Sequence, residues 1–130
     1  MTDDPELQGL VIMDPDSAME FLGDKAVFEM MLDGMSTCLI KHLTDIKVSL
    51  EANDYSSLKT ELQSLKGATS YTRCHRVGKA AELFKAAIEA GRFEKIPELY
   101  SRFIRESIML KRCLRKYVSS RDSNIQCINY

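Results

Sequence analysis

Residues 25–52 read KAVFEMMLDGMSTCLIKHLTDIKVSLEA. Within this stretch Phe28, Met31, Leu32, Met35, Leu39, Leu43, Ile46 and Leu50 recur at spacings of three and four. A helix of 3.6 residues per turn brings such positions onto one side, so the spacing predicts one long helix with a single buried stripe. Asn53-Asp54 ends it and caps its successor.

The same reading extends outward in both directions. Asp14-Pro15-Asp16 is a helix start, with a capping carboxylate followed by proline at the first helical position. A short helix then runs to Leu22, and Gly23 is placed as its stop. Residues 1–9 read as a flexible N-terminal arm. A third helix is predicted over 55–72, with Leu58, Leu62, Leu65 and Thr69 inward. A fourth over 76–90 buries Val77, Ala80, Ala81, Phe84 and Ile88 and stops at Ala90-Gly91. A fifth over 94–118 carries Ile96, Leu99, Tyr100, Phe103, Ser107, Leu110, Leu114 and Tyr117, with Pro97 in its first turn. Residues 119–130 form a polar tail. No segment alternates with the period of a strand, and no hairpin signal occurs. The expected fold is all-α: residues 10–118 make an antiparallel four-helix bundle with a short additional N-terminal helix.

Composition agrees with one ordinary domain. The chain has 130 residues, 45% of them hydrophobic and 28% charged, with a net charge of −1. A single core of that size folds without metal or disulfide staples. The halves differ, because residues 1–62 hold 13 Asp/Glu and 4 Lys/Arg, whereas residues 63–130 hold 6 and 14. Acidic helices packed beside basic ones account for this, as do partner surfaces of opposite sign. The basic residues lie along an amphipathic helix without the aromatic-basic motif of an RNA reader, which argues against nucleic acid. No apolar run approaches the ~20 residues of a membrane span. Cys38, Cys74, Cys113 and Cys127 show no zinc spacing, so no metal or other cofactor is expected. These features predict a protein of the cytoplasm, with the nucleus as a second location, and reduced thiols.

The chemistry-bearing stretch is Leu62-Gln63-Ser64-Leu65-Lys66-Gly67-Ala68-Thr69-Ser70. Opposite its apolar face lie Lys59, Gln63, Lys66, Gly67 and Ser70. Glycine inside a helix costs roughly 1 kcal/mol relative to alanine. Gly67 sits one turn beyond Gln63, leaving a notch that a partner can approach, and Lys66 adds a cation suited to a phosphoryl group. Taken alone, these residues fit a solvated face with a tolerated glycine better than a docking face.

The stretch resembles the signature of histidine-containing phosphotransfer (HPt) domains, His-x-Leu-Lys-Gly-Ser-Ser, here Gln63-Ser64-Leu65-Lys66-Gly67-Ala68-Thr69. Asp14-Pro15-Asp16 through Phe21-Leu22-Gly23-Asp24 resembles that family's opening helix. Arg76-Val77 with Ala80-Ala81 resembles its next helix, and Glu89-Ala90-Gly91-Arg92-Phe93 its last turn. The resemblance covers about residues 11–118. It implies a phosphorelay protein whose partners are receiver domains of response regulators, and hybrid histidine kinases, acting as a monomer. The receiver supplies the magnesium ion and most catalytic groups. The bundle supplies a nucleophile and a docking face, to which Lys66, Gly67, Lys59, Ser70, Val11, Ile12 and Met19 would belong.

The sequence departs from the family where the nucleophile should stand. Gln63 occupies the acceptor position, and an amide nitrogen has its lone pair delocalised into the carbonyl, unlike neutral imidazole. Docking would survive while phosphotransfer is lost, so the chain is expected to be a pseudo-HPt protein and not an enzyme. Two alternatives stay open: an active intermediate in which glutamine has been substituted for the histidine, and a helical scaffold outside signalling. Ala68-Thr69 replaces a small hydroxyl pair, and Arg73-Cys74 stands where Gly-Ala is common. His75 falls about 120° around and ~18 Å along from Gln63 on a continuous helix, and His42 lies at the core edge. Cys74 and His75 are adjacent and point different ways, which argues against a thiol nucleophile.

Overall fold

Each helix begins at an aspartate or a turn whose chemistry is visible in the chain. The computed structural model describes residues 6–120, and these form five α-helices without an extended strand. Asp14 accepts the Ser17 N–H at 3.1 Å, Pro15 opens α1 (Pro15–Leu22), and Gly23 closes it at φ 77°. Asp24 accepts the Ala26 N–H at 2.7 Å and starts α2 (Lys25–Glu51). Asp54 accepts both the N–H and the hydroxyl of Ser57, at 3.1 and 2.8 Å, and starts α3 (Tyr55–Tyr71). α4 (His75–Glu89) follows Cys74 without a side-chain cap, and α5 (Ile96–Ser120) follows a short 3₁₀ turn at Phe93–Lys95. Pro97 is the second residue of α5, where a missing N–H loses nothing.

α2, α3, α4 and α5 pack in sequence order, and α5 returns to α2. Contacts between distant residues set their directions. His42 on α2 meets Glu61 on α3, and Thr69 on α3 faces Gly78 on α4. Phe84 on α4 meets Phe103 on α5, and Phe28 near the start of α2 meets Tyr117 near the end of α5. The four long helices therefore run antiparallel, with α1 against the α2–α3 side. The predicted stripe is the core: Phe28, Leu32, Met35, Leu39, Ile46, Leu58, Leu62, Leu65, Phe84, Phe103 and Leu110 are buried together.

Three expectations need correction. Residues 6–9 are not a loose arm: they form a turn whose Leu7 is buried and whose Leu7 carbonyl accepts the Arg76 Nη1 bond at 3.3 Å. The tail was expected from residue 119, but α5 runs to Ser120, and residues 1–5 and 121–130 lie outside the described part. Cys38 and Cys74 carry free thiols, whereas Cys113 is disulfide-bonded, so the expectation of reduced thiols does not hold for it.

Among the described residues Arg76 and Glu106 form a buried ion pair. Arg76 grips Glu106 with two bonds, Nε–Oε1 at 2.6 Å and Nη2–Oε2 at 2.9 Å, and both side chains are nearly inaccessible. The backbone N–H of Arg76 also donates to the Val11 carbonyl at 3.1 Å. One guanidinium thus joins α4, α5 and the N-terminal segment.

Candidate functional site

α3 presents its outer row along positions spaced by one turn. Gln63 is exposed, and its side chain makes no hydrogen bond among the described residues. Gly67 follows, and a Cβ built on it meets no atom within 4 Å. Nothing inside the molecule therefore requires glycine there. Gly78 is the contrast, since a Cβ on it would stand 2.8 Å from Thr69 Oγ1, so that glycine is what lets α3 and α4 approach.

One further turn along the same row stands Tyr71, 52% exposed. Its ring lies 6.2 Å from that of Phe21 on α1, itself 54% exposed. The Arg73 guanidinium sits 4.3 Å from the Phe21 centroid and donates from Nη1 to the Ser70 carbonyl at 2.9 Å. Arg73 holds φ 57°, a left-handed conformation that an L side chain enters only at some cost. It closes α3 as a helix C-terminal turn, with the Cys74 N–H donating to Thr69 O at 2.9 Å. Glycine suits that φ best, and arginine occupies it while lying over an exposed aromatic ring.

Behind this row α3 and α4 enclose a groove of about 230 Å³, lined by Lys66, Ser70, His75, Lys79 and Glu82 among others. Lys66 is not an isolated cation. Its Nζ lies 3.7 Å from Glu82, which Lys79 approaches at the same distance. Such half-exposed pairs contribute little to stability and exchange readily for another anion. Lys59 is half-buried one turn before Gln63, and Ser70 is exposed.

The docking residues assigned to the N-terminal region divide. Ile12 is 1% exposed and belongs to the core, while Met19 packs against it and Val11 is half-buried. Ile12 therefore cannot meet a partner with its side chain, a correction that follows from its sealing the bundle end. The apolar group that α1 does present is Phe21. Its signal was its position directly before the Leu22-Gly23 stop, off the inward face.

The two histidines differ. His42 Nδ1 lies 2.9 Å from Glu61 Oε2 with only 17% of its side chain exposed. His75 is exposed at the first position of α4. Cys74 beside it is fully buried, and burial pushes its thiol up to about 12, so no thiolate is available to His75 near neutral pH. Among the described residues no three His, Cys, Asp or Glu side chains gather as a metal site. No helix among them is long and apolar enough to cross a membrane. No protein-family model matches the chain, and no curated protein or solved structure matches it either.

Proposed function

We propose that this chain is a pseudo-HPt protein that docks receiver domains of response regulators, and the receiver portions of hybrid histidine kinases, without accepting their phosphoryl group. The observation that carries this reading is the row Gln63, Gly67, Tyr71. It has a notch with no internal use and, one turn beyond, an exposed aromatic pair at Tyr71 and Phe21. A docking face of this kind needs a flat approach for the partner's loops and a small apolar patch to desolvate. Lys66 at the groove edge supplies a cation toward the phosphorylated aspartate. Gln63 fills the acceptor position with a group that hydrogen-bonds but does not attack phosphorus. The chain would then act as a competitor or adaptor in the cytoplasm or nucleus, as a monomer.

The test compares this protein with a Gln63→His variant. Each is mixed with a receiver domain carrying labelled phosphate on its aspartate, and both binding and label transfer are followed. The expected result is that both proteins bind and only the variant gains acid-labile phosphate. Absence of binding by either protein would replace this reading with that of a scaffold unrelated to receivers. Label on the unmodified protein would also overturn it, and would direct attention to His75, which shares the groove with Lys66 and Lys79.

A further inference from the structure

The outer face of α5 has no role in the reading above. Ser101, Arg105, Ile108 and Arg112 lie at spacings of four, three and four and are all exposed. Tyr100, Ile104 and Met109 are half-buried beside them, and together these seven residues line a surface groove of about 500 Å³. Phe103, Leu110 and Leu114 point the other way, into the core. The helix thus has two apolar sides, one consumed by the bundle and one left at the surface.

The charge along the groove's own helix is mostly positive, and Glu51 of α2 comes near only its Tyr100 end. Between Ser101 and Tyr117 stand Arg102, Arg105, Lys111, Arg112, Arg115 and Lys116, and the only acid is Glu106. That carboxylate is buried and held by Arg76. No ion pair reaches Arg105 or Arg112 among the described residues. Guanidinium groups are weakly hydrated and bind carboxylates through two parallel bonds, so a bare pair flanking an apolar floor favours an acidic, partly apolar ligand. Arg105 and Arg112 are seven residues apart, about 10.5 Å along the helix. Two carboxylates seven residues apart on a second helix have the same spacing.

We infer that the α5 groove docks an acidic amphipathic helix of a partner protein, with carboxylates at positions i and i+7 meeting Arg105 and Arg112. Apolar residues at i+3 and i+4 lie over Ile104, Ile108 and Met109, as in other helix-in-groove contacts. A membrane surface fits less well. An interfacial helix pushes its apolar side chains outward, whereas here Ile108 alone, at 44%, is prominently exposed and the other apolar side chains are recessed. The inference stands apart from the receiver-docking proposal, because α3 and α5 lie diagonally across the bundle with no close backbone approach between them.

The test is fluorescence anisotropy with the full chain and a labelled, alanine-based helical peptide carrying Glu at i and i+7 and Leu at i+3 and i+4. The expected result is saturable binding that weakens as salt is raised. It should fall roughly tenfold when Gln replaces both Glu, and by a similar factor in the Arg105→Glu/Arg112→Glu variant. That variant should instead prefer the peptide with Lys at those two positions. Ile108→Asp should weaken binding of every peptide. Unchanged circular dichroism and melting of the variants show that they fold. Equal binding of the Glu and Gln peptides, or indifference to the arginine reversals, would overturn the inference. So would binding to phosphatidylserine-containing vesicles that the same reversals abolish, with no peptide binding.

Discussion

Gly67 and Gly78 sit eleven residues apart on neighbouring helices, and their substitutions should move stability in opposite directions. A methyl at Gly67 enters open space, so Gly67→Ala keeps only the gain in helix propensity, about 0.5–1 kcal/mol. The same methyl fills the notch beside Gln63. We expect a higher urea midpoint together with weaker receiver binding, an unusual pairing that a merely structural glycine would not produce. At Gly78 the added carbon meets Thr69 Oγ1, which is fixed by a 2.9 Å bond to the Lys66 carbonyl. Gly78→Ala should lose about 1–3 kcal/mol by overpacking. Adding Thr69→Ala should return part of the loss, measured by thermal unfolding of the two single variants and the double. Asp54 offers a pH test at the same scale. The N–H and hydroxyl of Ser57 hold its carboxyl below the usual 3.8. Its capping contribution is therefore present above that value and disappears as pH falls through the lowered one. Asp54→Ala should lower the urea midpoint at neutral pH, and the gap from the parent should close in acid.

Among the elements, local chemistry was legible and distant pairing was not. Asp14, Asp54, Gly23 and Gly91 mark helix ends through bonds to residues three or four positions away, and periodicity alone assigned Phe28, Leu39 and Leu65 to the core. The exposed row at Gln63 and Gly67 was readable for the same reason. Ile12, Phe21 and Leu7 were misread or missed, since nothing in a window of one or two turns says which end of a bundle a short helix will cover. Arg76 and Glu106 are separated by 30 residues, and only an acid among Phe103, Ser107 and Leu110 hinted that the core of α5 holds a charge. Removing Glu106 takes the two-bonded carboxylate from the buried Arg76 guanidinium. Glu106→Ala should therefore destabilise the fold by about 3–5 kcal/mol. Replacing both, as Arg76→Met/Glu106→Leu, should be much milder unless the Leu7 carbonyl depends on its bond to Arg76. Denaturant titration of the three variants separates these outcomes, and a double variant as unstable as Glu106→Ala would assign the loss to the N-terminal turn.

At the scale of the whole molecule, the question is whether the proposed docking bundle carries one binding surface or two. A relay protein exchanges partners at a single face, because donor and recipient receivers must both reach one histidine. Under the proposal that Gln63 stands in place of such a histidine, nothing requires all partners to share the α3 face. The Gln63–Gly67–Tyr71 row and the α5 groove lie on diagonal helices, and the closely packed core between them changes little when a rigid partner docks. Binding at the two should be additive within experimental error. Sedimentation of the chain with a receiver domain and the acidic helical peptide should then show a ternary complex. Gly67→Arg should remove only the receiver, and Arg105→Glu/Arg112→Glu only the peptide. If the peptide displaces the receiver, or if either variant releases both, the two surfaces are one site and the adaptor role reduces to competition at α3.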